Sequence, residues 1–186
     1  VHPNTAKHLR IEGFGTGSVG VRNRGYDGIF MNRGDKYKLS FYWREIALDG
    51  IDYKLGSWTK FETEFVSDDK NIFDFPFGQI RIYDDENAED DRRIFSILVK
   101  GRRTVEFDGM SLMPSDTIAG LRRDLVERLA ALRPAFVRFP GGCIVEQGDF
   151  QHWYDWRRTV GPRERRECVI NRWSFHLDKH PNGFYW

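Results

Sequence analysis

Phe136-Val-Arg-Phe-Pro-Gly-Gly-Cys143 is a short apolar run that stops at Pro140-Gly141-Gly142. A helical pattern precedes it, from Leu121 to Leu132, and meets Pro134. Leu121, Leu125, Leu129 and Leu132 share one helical face with Val126 beside them; Arg122, Arg123, Asp124, Glu127 and Arg128 take the other. Ser115, Asp116 and Thr117 are cap-type residues at the start of this pattern. Pro134 cannot continue a helix, so a new element begins at Ala135. The reading is a helix, a short link and a buried strand, an αβ unit. The strand ends in an arginine, two glycines and a thiol. In α/β barrels and open α/β sheets, that end of a strand is where ligands bind.

The chain ahead of this unit has a different period. Tyr37, Leu39, Phe41 and Trp43 alternate with Lys38, Ser40, Tyr42 and Arg44, the pattern of a strand with one buried face. Phe61, Thr63 and Phe65 repeat it. Residues 94–99 are almost continuously apolar, as in a strand covered on both sides, and Val105 and Phe107 close the series. His8-Leu-Arg-Ile11 is a further strand candidate, and the glycines between residues 20 and 31 mark turns or bulges. Many strands with turn signals and no helical period predict a β-sandwich over residues 1–115. The predicted chain is therefore mostly β, a sandwich over 1–115 followed by an α/β segment over 116–186.

Composition excludes more than it assigns. The net charge is +1 over 186 residues, with Arg163-Glu-Arg-Arg-Glu167 typical of the mixed charge runs. That balance does not argue for a nucleic-acid partner or a membrane surface, and neither is expected. No run of 18 apolar residues is present, and no secretory leader is read at Val1. Fifteen Phe, seven Tyr and six Trp suit a β core or a sugar-facing surface equally. The acidic run 84–91 reads as a solvated loop; it lacks the glycine and spacing of a calcium-binding loop. No metal or cofactor is expected.

Three motifs then occur in order: Arg138-Phe-Pro-Gly-Gly-Cys-Ile-Val-Glu146, Trp156-Arg-Arg-Thr-Val-Gly-Pro-Arg-Glu-Arg-Arg166 and Asn171-Arg-Trp173. With Val105-Glu-Phe-Asp-Gly-Met-Ser-Leu-Met-Pro-Ser-Asp-Thr117 and Gly120-Leu-Arg-Arg-Asp-Leu-Val-Glu127 upstream, the chain resembles the α-L-arabinofuranosidases of glycoside hydrolase family 51. The resemblance implies a jelly-roll domain, similar to carbohydrate-binding modules, ahead of the start of a (β/α)8 catalytic barrel. It implies a retaining glycosidase without a cofactor that releases terminal arabinofuranose from arabinan or arabinoxylan. Such enzymes use two carboxylates about 5–5.5 Å apart. The family acid/base lies in an Asn-Glu pair, and this chain has no such dipeptide. No catalytic residue is therefore assigned here, and an internal fragment of a longer enzyme, inactive alone, is expected. The family leaves an extracellular or periplasmic setting open and does not fix an oligomeric state.

Four residues carry over as substrate-binding candidates. Arg138 matches the family arginine that orients and charge-stabilises the nucleophile, with a structural ion pair as the competing reading. Cys143 matches a thiol lining the sugar pocket; a small buried hydrophobe is the alternative. Asn171 and Trp173 match a loop over the site, where an indole face stacks on a sugar ring, although core packing suits Trp173 as well. Glu146 and Glu164 are assigned loop-ordering or ion-pair roles. Glu167 and Cys168 stand where the family usually has proline, so the resemblance does not carry over the path of that loop. A second reading is a non-catalytic sugar-binding sandwich using exposed Trp43, Trp58 or Tyr42; by alternation Trp43 falls on the buried face and Tyr42 on the open one.

Two cysteines make no disulfide framework, and the resemblance keeps Cys143 reduced. Thiol titration under denaturing, non-reducing conditions is expected to find both Cys143 and Cys168 free; a count of zero would contradict the assignment.

Overall fold

The computed structural model describes residues 8–23, 29–49, 52–86 and 92–138, with 155, 157, 160–161, 169–170 and 179–180 beyond them. The chain divides into two compact units, Leu9–Arg123 and one containing Asp124–Trp186.

The first unit is a two-sheet antiparallel sandwich. One sheet holds β1 (Leu9–Glu12), β4 (Lys36–Asp49), β5 (Asp52–Leu55), β6 (Thr59–Val66) and β10 (Thr104–Pro114). The other holds β2 (Ser18–Asn23), β3 (Ile29–Phe30), β7 (Lys70–Phe75), β8 (Gly78–Asp84) and β9 (Arg92–Lys100). β4 is central to its sheet. One edge pairs with β10, and the other pairs with β6 along Lys36–Trp43 and with β5 along Ile46–Asp49. β9 does the same in the second sheet, between β8 and the pair β2 and β3.

The core sits where the two inner faces meet. Tyr37, Leu39 and Phe41 of β4 and Val105 and Phe107 of β10 face Phe75 of β7, Ile80 and Ile82 of β8, and Phe95, Ile97 and Val99 of β9. Phe75 meets Phe41 and Phe107 edge-on, at ring centroid distances of 6.2 and 5.6 Å. Trp43 packs edge-on against Phe77 at 5.1 Å and, partly buried, lies against the core on the face its place in the alternation predicts. Edge-to-face pairs of this kind add about 0.5–1.5 kcal/mol each beyond area burial.

β10 carries one extra residue opposite β4 between Asp108 and Ser111. Gly109 takes φ +58° there, the left-handed conformation a bulge needs. The bulge restores the phase, so Leu112 stands opposite Leu39 and packs against the core.

The first sheet also has a built outer face. Arg10, Glu106 and Arg44 stand opposite one another on β1, β10 and β4. Glu106 is fully buried. Arg10 donates to its Oε1 through Nε (3.0 Å) and Nη2 (2.7 Å), and Arg44 to its Oε2 through Nε (2.7 Å) and Nη2 (2.6 Å). The Arg44 guanidinium lies 4.5 Å from the centre of the Trp58 ring. A carboxylate held out of water costs several kcal/mol unless paired, and two guanidiniums pair this one.

Three expectations change after Ser115. Residues 117–122 form a hairpin, β11 (Thr117–Ile118) with β12 (Leu121–Arg122), before any helix begins. Ala119 and Gly120 both have positive φ, 52° and 81°, as in the type I′ turn that suits a two-residue hairpin loop. The helix, α1 (Arg123–Ala131), therefore starts later than the leucine pattern predicts. Its apolar face is not buried: Leu125 and Leu129 are 50% and 64% exposed, and Leu132 just beyond the helix is 74% exposed. Phe136 and Val137 are likewise exposed, and residues 136–138 belong to no strand. A strand is held by backbone bonds to a neighbour, and none of the described residues pairs with these. Further on, β13 (Val169–Ile170) pairs with β14 (Lys179–His180).

Two measurements test this packing. Arg44→Ala removes one guanidinium from the buried Glu106 and is expected to lower the unfolding free energy by about 3 kcal/mol in urea melts. Adding Glu106→Gln should return part of the loss, and an unchanged midpoint in the single variant would refute the pairing. Burial pushes the Tyr37 phenol above its ordinary range, against the opposing effect of the Asn32 amide that donates to its oxygen at 3.1 Å. The folded state thus holds this proton longer than the unfolded chain. The stability it contributes is full below about pH 10 and is lost as pH rises through the folded value. Tyr37→Phe is expected to lose less stability than the parent between about pH 9 and about pH 11.

Candidate functional site

The substrate-binding candidates lie in the segment after α1. Arg138 is exposed, in irregular backbone, and no carboxylate among the described residues pairs with it. Cys143, Asn171 and Trp173 lie outside the described residues, as do Glu146, Glu164 and Cys168. Further along the chain, Arg157 is held locally: its Nε and Nη2 donate to Asp155 at 2.8 and 3.0 Å, and this carboxylate raises the guanidinium further above its usual range.

The aromatic candidates of the sandwich are mostly engaged. Trp43 packs against the core, and Trp58 lies beneath Arg44. Tyr42, on the outer face, is half-buried beside the Gly109 bulge.

A concave site lies elsewhere, on the outer face of the second sheet. A groove of about 590 Å³ runs over β2, β8 and β9 and is bounded by the start of β7. On the strands, Gly20, Arg22, Arg81, Tyr83, Ser96 and Leu98 of its lining stand at positions that alternate with the core set. Register places Arg22 opposite Ser96 and Ser96 opposite Arg81, in one row across three strands. In neighbouring rows Gly20 stands opposite Leu98, and Lys70 opposite Tyr83. Gly20 is required by close approach: a Cβ there would lie 2.0 Å from the Ile97 carbonyl oxygen. It leaves Leu98 uncovered on that side, and Ser96 keeps the middle of the row low.

Charge is arranged unevenly along the groove. Asp69 and Asp84, at one end, both pair with Arg33, and Asp84 also pairs with the buried Arg93. Arg81 donates through Nε (3.1 Å) and Nη2 (2.7 Å) to Oε1 of Gln79, a neutral acceptor. Arg22, Lys70 and Arg81 have no acidic partner among the described residues. The acidic run thus begins as part of a strand end, with Asp84 in an ion-pair cluster and Asp85 buried. Among the described residues, no group of three or more His, Cys, Asp or Glu is placed to hold a metal ion. No helix among them is long and apolar enough to cross a membrane.

The β7–β8 hairpin that supplies Arg81 and Tyr83 goes unread in the sequence. Its signals were present: Ile80 and Ile82 alternate with Arg81 and Tyr83, and Pro76-Phe-Gly78 marks the turn. The groove itself has no local signature, because its residues come from strands far apart in the chain.

Comparison with known proteins places the chain. Residues 128–184 match the family described as "Alpha-L-arabinofuranosidase 1 domain". The chain is 30% identical over 161 residues to Alpha-L-arabinofuranosidase 1 of Arabidopsis thaliana, covering 83% of this chain and 24% of that protein. It is 38% identical over 104 residues to an extracellular exo-alpha-L-arabinofuranosidase of Streptomyces chartreusis, covering 48% of this chain and 12% of that protein. To Alpha-L-arabinofuranosidase A of Aspergillus kawachii it is 25% identical over 198 residues, covering 99% of this chain and 31% of that protein. The chain spans about a quarter or less of the first relatives it matches. No solved structure matches it at comparable significance. The matched segment contains all three motifs that follow α1, and by that match and these relatives the chain belongs to the α-L-arabinofuranosidases of glycoside hydrolase family 51.

Proposed function

We propose that the protein this chain belongs to is a retaining glycoside hydrolase that releases terminal α-L-arabinofuranose from arabinose-containing polysaccharide. The observation that carries this reading is the family match over 128–184, the stretch with the Arg138–Glu146, Trp156–Arg166 and Asn171–Trp173 motifs. Residues 1–115 are the sandwich domain, and residues 116–186 contribute the start of the catalytic barrel.

In this reading Arg138 orients the nucleophilic carboxylate and offsets its charge, which matters most when charge develops at the anomeric centre. Cys143 lines the sugar pocket as a small, soft surface. Asn171 donates or accepts at a sugar hydroxyl, and Trp173 offers a ring face to the C–H side of the sugar. These four form one wall of a pocket. A wall of this kind orients substrate but neither protonates a leaving group nor forms a glycosyl intermediate, so the 186 residues alone lack a source of transition-state stabilisation.

The product of the complete reading frame is expected to release aryl alcohol from an aryl α-L-arabinofuranoside, and the purified 186-residue chain is expected not to. Turnover by the chain alone that disappears with Glu146→Gln or Glu164→Gln would place the catalytic pair within it and overturn the assignment of roles.

A further inference from the structure

We propose that the groove on the outer face of the second sheet binds a carboxylate-bearing saccharide, a chain containing uronic acid units. This rests on the reading of the protein as a polysaccharide-acting enzyme and adds a second, non-catalytic binding site to it.

Cation placement is the first support. Arg22 and Arg81 stand in one cross-strand row with only Ser96 between them. Two strand spacings separate their backbones by about 10 Å. Ser96 is short and buried, so the row dips between the two arginine positions. Lys70 stands in the next row, across from Tyr83. Gln79 holds the Arg81 guanidinium without neutralising it.

The second support is contrast with the other sheet. On its outer face, Arg10 and Arg44 share Glu106, and Lys38 and Lys60 share Glu62. In the groove the pattern reverses. Asp69 and Asp84 are engaged by arginines, while Arg22, Lys70 and Arg81 have no acidic partner among the described residues. The lining carries three cations and three acids. With Asp69 and Asp84 engaged by Arg33 and Arg93 from outside it, Glu86 is the acid left to offset Arg22, Lys70 and Arg81.

Shape and floor favour a saccharide among anions. A volume of about 590 Å³ lies within the range of ligand clefts. Leu98 and Tyr83 supply apolar surface for the C–H faces of a sugar ring. Arginine takes a carboxylate in two parallel bonds, and a second carboxylate farther along the chain would meet Lys70 as a point charge. A net charge of +1 provides no broad basic field for nucleic acid.

The test is isothermal titration of the 186-residue chain with a linear tri-uronate, a neutral arabinotriose, inorganic phosphate and a short oligodeoxynucleotide. The tri-uronate is expected to bind at least about tenfold more tightly than each of the others, and more weakly as salt rises. Arg22→Gln and Lys70→Gln, both at exposed positions, are each expected to weaken it about tenfold while leaving the thermal melt unchanged. Lys38→Gln, on the other sheet, is expected to leave binding as it is. Equal binding of the neutral trisaccharide, of phosphate or of the oligonucleotide overturns the proposal, as do absent tri-uronate binding or groove variants that bind like the parent. None of these readouts involves hydrolysis. An enzyme that cleaves arabinofuranosides but fails this test would therefore refute the groove and leave the catalytic reading intact.

Discussion

Phe75 between Phe41 and Phe107 is the contact on which the sandwich depends. These three rings come from both sheets and lie at the centre of the buried cluster. Hydrogen bonding along strands builds each sheet but gives no reason for two sheets to meet. Removal of apolar surface from water supplies that reason, at about 1.5–3 kcal/mol for each fully buried large side chain. Once the inner faces are committed, every alternate side chain is committed to an outer face. The character of those two outer faces is then a consequence of the core register.

The two outer faces are used differently. On the first sheet, strand order brings Arg10, Glu106 and Arg44 into one line and closes the face with a buried ion cluster capped by Trp58. On the second, Gly20 and Ser96 leave the surface low, and cations border it. The first arrangement spends its charges internally. The second leaves Arg22, Lys70 and Arg81 without an acidic partner among the described residues.

The segment after the sandwich shows how an amphipathic pattern outlasts its burial. α1 has an acidic residue in its first turn and a basic one in its last, which favours the helix by its own dipole. Its leucines still form one stripe, yet they lie open, and the aromatic residue at 136 does too. Local preferences and end charges are enough to specify a helix here; specifying a strand at 136–138 requires a paired neighbour.

Local chemistry was legible in the amino-acid sequence alone. The two-residue period of Tyr37 to Trp43 declared a half-buried strand, and the spacing of motifs from Arg138 to Trp173 declared the family. Both signals are carried by neighbours in the chain, and side-chain period and motif spacing survive without a partner. Tertiary structure alone decided the pairing. Glu106 reads as one more charged strand residue until β1 and β4 flank β10, and Arg22, Ser96 and Arg81 become one row only when β2, β9 and β8 align. The hairpin at 117–122 likewise displaced the expected helix start, because positive φ at Ala119 and Gly120 favours a turn over the leucine repeat. The physical reason is the same in each case. Periodicity is set by backbone geometry within a few residues, whereas register joins residues tens of positions apart and is settled by which faces can be buried together.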